Sequence, residues 1–313
     1  MMNRIRAVAG LFAFVAAAAI LFKGVFLLID IRDRKSDRNI TIGSKAFTEG
    51  IVLAEIMAVV IERRTGLTVV RRTNLGGTHI CFQALRAGEI DLYPEYTGTG
   101  LMAILEQPVV NDERRALRIV REAFDKRYRM VWLDPLGFNN TYALAMTEKK
   151  ARELGIQRIS DLAHHPELRA GFTSEFMARK DGYPGLKQLY GFSFTAEPGS
   201  MEAGLMYSAV AEAKVDVVSA YSTDGRITKF KLVLLDDDKH FFPPYQAAAL
   251  IRRQALDRHP ELETALSPLA GKLDDEQMRN INARIDLGGE KLESVAAEIA
   301  QQLLAARSGR TKP

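Results

Sequence analysis

The sequence predicts an α/β protein, a clamshell of two lobes preceded by one N-terminal apolar helix. Three observations predict it. Strand-like and helix-like segments alternate twice along the chain, the pattern of sheets covered by helices. The length of 313 residues is enough for two such units. An apolar run near the start, Ala7 to Ile29, stands apart from both.

That run follows Arg4 and Arg6 and is interrupted only by Lys23. Through Ile29 it is long enough to cross a bilayer, which takes about 20 residues. It has no polar stripe of the kind a buried soluble helix shows. The part up to Phe22 also fits the apolar part of a secretory signal, and the whole run is read as an uncleaved signal anchor. No cysteine follows it closely, which excludes a lipid anchor there. Arg32, Arg34, Lys35 and Arg38 outnumber the arginines before the run, so charge alone would place the remainder in the cytoplasm. Topology must therefore be settled by what the remainder does.

In the first lobe, Ile40 to Ile42 reads as a strand running into a Gly-Ser-Lys turn. "TEGIVLAEIMAVVIERRTG" has helical apolar spacing, with Thr48 as its cap and Gly66 as its end. "LTVVRRTNL" is a second strand, "HICFQALRAG" a second helix and "EIDLYP" a third strand, together a parallel sheet. Ligands in such sheets bind at the carboxyl ends of the strands. "SKAFTEG", "LGGT" and "YPEYTGTG" all fall at those ends, the last as a glycine-rich turn that lets backbone approach closely. The second lobe repeats the pattern: strand "TYALAM", helix "RELGIQRISDLA", strand and turn "RAGFTSEF", helix "GYPGLKQLYG", then helix, strand and turn through "MEAGLMYSAVAEAKVDVVSAYSTDGRI". "YQAAALIRRQAL" is the strand leaving this lobe, and the helical tail from Pro260 to Arg307 closes back on the first. The expected division is residues 1–37 as anchor and linker, 38–143 plus 250–313 as one lobe, and 144–249 as the other.

Several function classes drop out. A net charge of +4 is small and dispersed, with no basic stripe for nucleic acid. One cysteine, Cys81, permits no intrachain disulfide and sits in apolar sequence, as a small buried hydrophobe does. There is no phosphate-binding fingerprint and no metal-ligand spacing, so neither cofactor nor metal is expected. No acid, base and nucleophile form a constellation, so no enzyme is expected either.

The motifs "ITIGSKAFTEG", "LGGT", "GEIDLYPEYTGT", "GFNNTYALAM", "YSTDGRI" and "DDKHFFPPYQAA" occur in this order. Together they resemble the substrate-binding proteins of ABC importers for glycine betaine, carnitine and choline, over roughly residues 39 to 303. The resemblance implies a two-lobed periplasmic-binding-protein fold of the second type. It also implies a location outside the cytoplasmic membrane, a small quaternary ammonium ligand and a membrane permease as partner. Such ligands cannot donate a hydrogen bond through nitrogen, so a box of aromatic faces must hold them, at about 0.5–2 kcal/mol per face.

Tyr96, Tyr142, Tyr221 and Tyr245 match the family's cage tyrosines, and Tyr93 is read as packing behind them. Arg179 looks like the family's arginine for the ligand carboxylate, suited by its planar fork. Lys45 and Thr99 are expected as further donors, and Asn140 as a contact that also shapes the turn before Tyr142. Gly50 departs from the family, whose members often carry Gln there. Two alternatives share the fold: another betaine-like ligand such as ergothioneine, or a membrane-anchored sensor without a transport role.

Overall fold

A computed structural model describes residues 38–305. The predicted N-terminal anchor lies outside the described residues. Within them, ten strands form two five-stranded sheets. The first has the order β2-β1-β3-β10-β4, with β1 at Asn39–Gly43, β2 at Thr68–Arg72, β3 at Leu92–Tyr96, β4 at Met130–Trp132 and β10 at Ala247–Arg252. The second has the order β7-β6-β8-β5-β9, with β5 at Tyr142–Thr147, β6 at Ala170–Phe172, β7 at Gly199–Ser200, β8 at Val217–Tyr221 and β9 at Leu232–Leu234.

Each sheet is mixed rather than parallel. β1 runs parallel to β3, but β10 runs antiparallel to both β3 and β4. Likewise β6 and β8 are parallel while β5 opposes β8 and β9. The reversed strands, β5 and β10, are the ones that enter each lobe from the other. The chain thus crosses between lobes twice, and the two connections touch: Asn139 and Gln246 form a bridge, and the Asn140 amide donates to the Tyr245 carbonyl at 3.1 Å.

The Thr48–Thr65 helix is buried along most of its first three turns because the tail helices Glu261–Leu266, Asp275–Asp286 and Leu292–Ala305 pack over it. The tail therefore closes on the first lobe as expected. Thr48 is not the cap. The cap position is Phe47, and the Thr48 hydroxyl donates instead to Asp286 at 2.6 Å. The expected helix at 152–163 is two pieces, Glu148–Leu154 and a tighter turn at Ile159–His164, because Gly155 takes a left-handed conformation between them. The Glu113–Tyr128 helix, capped by Asp112, was not foreseen. It brings Phe124 and Tyr128 against Phe82 and Trp132, an edge-to-face aromatic core under the first sheet. Cys81 lies in this core, and burial pushes its thiol up to about 12, so it is an inert apolar residue.

Candidate functional site

Sheet register builds the site. Tyr142 opens β5 and Tyr221 closes β8, and the two are direct partners across the antiparallel pair. Side chains of such partners share a face, and here the ring centroids are 5.2 Å apart. Tyr245 arrives on the returning connection and stands edge-on to Tyr142, at 5.6 Å and 89°. Tyr96 ends β3, two residues' pairing away, opposite Ala247 of β10. Phe47 completes the ring of aromatics. It lies 5.9 Å from Tyr221 and nearly parallel to it, and 6.2 Å from Tyr96. The reading of the sequence missed Phe47. The sequence carries a signal for it, since "SKAFTEG" lies at a strand end that faces the crevice.

The "TGTG" segment is not a turn. Thr97–Thr99 and Gly100–Ile104 are helical, widening to an i→i+5 bond from the Leu105 amide to the Gly100 carbonyl. Gly98 is there for close approach. A Cβ on it would lie 2.6 Å from the Tyr245 ring and 2.9 Å from the Pro244 carbonyl. The expected purpose of the glycine holds, while the expected conformation does not.

Tyr96, Tyr142, Tyr221 and Tyr245 border one cavity of about 250 Å³, together with Phe47, Lys45, Thr99, Asn140 and Glu175. Burial pushes the hydroxyls of Tyr96, Tyr142 and Tyr245 well above their ordinary range, and that of Tyr221 up to about 12. The rings are therefore neutral phenols that act through their quadrupoles. Polar partners behind the cavity fix them. The Tyr96 hydroxyl donates to Glu49 at 2.7 Å and the Tyr245 hydroxyl to Asp181 at 2.6 Å. Tyr93 is fully buried and donates to Glu95 at 3.0 Å, the packing role expected of it.

Lys45 also binds Glu95, at 2.6 Å, and its ammonium lies 5.3 Å above the Tyr96 ring. Asn140 donates to Glu49 at 2.8 Å. Arg179 departs from expectation. It is absent from the cavity wall and lies behind Tyr142, its guanidinium 5.5 Å from that ring. Both arms of its fork are on Asp181, and a third bond reaches Glu175 at 3.1 Å. A fourth bond goes to the Thr78 hydroxyl at 3.4 Å, so four of the five N–H donors are engaged and no free pair is left for a ligand's carboxylate. Burial opposes the Arg179 charge, but the neighbouring Tyr142, Asp181 and Tyr245 hold its pKa well above the ordinary value.

Glu49 and Asp181 are the other residues that sequence reasoning missed. Glu49 is 2% exposed and accepts four hydrogen bonds, from Tyr96, Asn140, Thr223 and Asn282. Burial raises its pKa, against the pull of those four donors.

Residues 38–302 match the family model described as the substrate-binding domain of ABC-type glycine betaine transport systems. The chain is 39% identical over 272 residues to a glycine-betaine-binding protein of Pseudomonas aeruginosa, covering 83% of this chain and 86% of that one. It is 37% identical over 270 residues to the carnitine transport binding protein OpuCC of Listeria monocytogenes, covering 85% and 87%. A crystal structure of a glycine betaine/carnitine/choline ABC transporter protein superposes with a TM-score of 0.70 at 35% identity, covering 84% of this chain and 98% of that one. Two mixed sheets, a cavity walled by aromatic rings and this likeness over nearly all the described residues agree, and the chain belongs to the family of substrate-binding domains of ABC-type glycine betaine transport systems.

Proposed function

We propose that the protein captures a quaternary ammonium compatible solute of the glycine betaine, carnitine or choline type in the box formed by Phe47, Tyr96, Tyr142, Tyr221 and Tyr245. As a member of its family it is the extracytoplasmic solute-binding component of an ABC importer, and its partner is the importer's membrane permease. The observation that carries the ligand reading is the convergence of five neutral aromatic rings on one cavity of about 250 Å³. A trimethylammonium group spreads its charge over methyls, and ring faces attract it without demanding a hydrogen bond. Lys45 and Thr99, both on the wall, are the donors within reach of a ligand's anionic end. Arg179 serves the box from behind by holding Tyr142 and Asp181 in place.

The lobes are read as residues 38–143 with 250–313, and 144–249, closing on the ligand about the paired connections. The protein is read as a binder rather than an enzyme. The Ala7–Ile29 run is read as its tether to the membrane. Among the described residues no helix is long and apolar enough to cross one.

Calorimetric titration of the full chain with glycine betaine, choline, carnitine and ergothioneine tests the reading. Binding of at least one of the first three is expected, and Tyr142→Ala and Tyr221→Ala are each expected to weaken it about ten-fold or more, the loss of one cation–π face. Tightest binding of ergothioneine would move the ligand class. Unchanged affinity in both variants would remove the box.

A further inference from the structure

Glu49 lies outside the ring of aromatics, yet its two carboxylate oxygens gather four separate parts of the chain. Oε1 accepts from the Tyr96 hydroxyl at 2.7 Å and from the Asn140 amide at 2.8 Å. Oε2 accepts from the Thr223 hydroxyl at 2.5 Å and from the Asn282 amide at 2.9 Å. Tyr96 ends a strand of the first sheet and walls the cavity. Asn140 lies in the first connection between lobes. Thr223 is in the turn that follows β8, in the second lobe. Asn282 is on the tail helix Asp275–Asp286, which packs on Glu49's own helix in the first lobe.

We infer that Glu49 is a positioning residue that latches the second lobe onto the first and, through the same carboxylate, sets the Tyr96 ring in the box. The inference rests on the solute-capture reading above. The physical reason is the cost of a buried carboxylate that lacks donors. Separating the lobes withdraws Thr223 from Oε2 and leaves the carboxylate one protein donor short. Closing them restores the fourth bond while Oε1 stays on Tyr96. Because one group serves both, whatever steadies Tyr96 also steadies closure, and a ligand against that ring shifts the population toward the closed form.

The seat around the latch is shaped for a docked turn. Asn282 also donates to the Thr223 carbonyl at 3.0 Å, Arg279 donates to the Ser222 carbonyl at 3.1 Å, and Arg226 pairs with Asp286 at 2.7 Å. Gly225 lies so close to the tail helix that a Cβ would sit 2.6 Å from the Ala283 methyl carbon and 2.9 Å from its Cα. Glutamine is a poor replacement for the carboxylate, since its amide nitrogen is a donor and would face the amide donor of Asn140 or of Asn282.

The test uses the full chain carrying Glu49→Gln or Thr223→Val. It reads glycine betaine affinity by calorimetry, and amide hydrogen exchange at residues 221–227 and 275–286 without ligand. Both variants are expected to bind about ten-fold or more weakly, the scale of one unmet buried hydrogen bond. In both, the ligand-free turn is expected to exchange faster than in the wild type. A lowered melting temperature with affinity and turn exchange unchanged would make Glu49 merely structural and overturn the inference. If Glu49→Gln fails to fold, Thr223→Val decides alone by the same two readings. If the wild type binds no quaternary ammonium solute, the proposed ligand class fails, and the exchange data still decide for or against the latch.

Discussion

Arg179 shows how much a single residue's role depends on its partners. In the sequence it is a cation in a polar stretch, and a carboxylate clamp is a sound expectation for it. In the fold its fork closes on Asp181, whose other partner is the Tyr245 hydroxyl. The arginine thus braces two box rings, Tyr142 by its face and Tyr245 through a carboxylate. Arg179→Met is therefore expected to weaken glycine betaine and choline by similar factors, since both need the rings. Titration of the variant with each would check this, and a loss confined to glycine betaine would return Arg179 to the clamp. The four tyrosines were legible because each stands in a motif at a strand end. Glu49 and Asp181 were not, because their roles come from contacts between distant parts of the chain. Glu49 and Asn282 are 233 positions apart, and no local spacing announces such a pair.

At the scale of elements, strand register and close packing decide the site. The order of strands and helices was readable from hydrophobic periodicity, but sheet direction was not, because β5 and β10, the strands that follow the two crossings, run antiparallel to their neighbours. Glycines misled in a similar way. Gly98 reads as a turn residue, yet it is helical, and what it supplies is the absence of a side chain under Tyr245. Gly98→Ala is expected to push that ring out of the box, weakening binding by about ten-fold or more and costing about 1–3 kcal/mol of stability, the usual penalty of overpacking. Urea unfolding and titration of the variant check both numbers, and a silent substitution would contradict the packing. In the second lobe, Asp216 accepts from Lys150 and Arg169 just ahead of β8. Despite burial, which acts against it, these bonds hold its carboxyl down, from 3.8 to about 2. A depressed carboxyl stabilises the fold above its unfolded pKa, here about pH 4, and that stability is lost as pH falls through about 2. Asp216→Asn is expected to cost about 2 kcal/mol at pH 7, with the gap to wild type narrowing below pH 4. Denaturant midpoints across that range would show it, and a gap independent of pH would contradict it.

At the scale of the whole molecule, two lobes joined by two touching connections form a body whose cavity walls come from both sides. Tyr96 and Phe47 stand on the first lobe, Tyr221 on the second, and Tyr142 and Tyr245 at the crossings. On the proposed reading such a cavity is complete only when the lobes meet, which makes capture and closure one equilibrium, with Glu49 as the proposed tie between them. The chain's membership in its family was legible from motifs in order, and the aromatic box followed from them. Which polar groups hold that box together became visible only with the fold.

The central claim is that the rings hold their ligand by its spread positive charge. The most direct measurement is the affinity of the full chain for glycine betaine against 3,3-dimethylbutanoate, which has the same shape with carbon in place of the charged nitrogen. Loss of several cation–π faces, at about 0.5–2 kcal/mol each, predicts weaker binding of the carbon analogue by about ten-fold or more. Equal affinity for the two would mean that the box recognises shape alone, and would contradict the account.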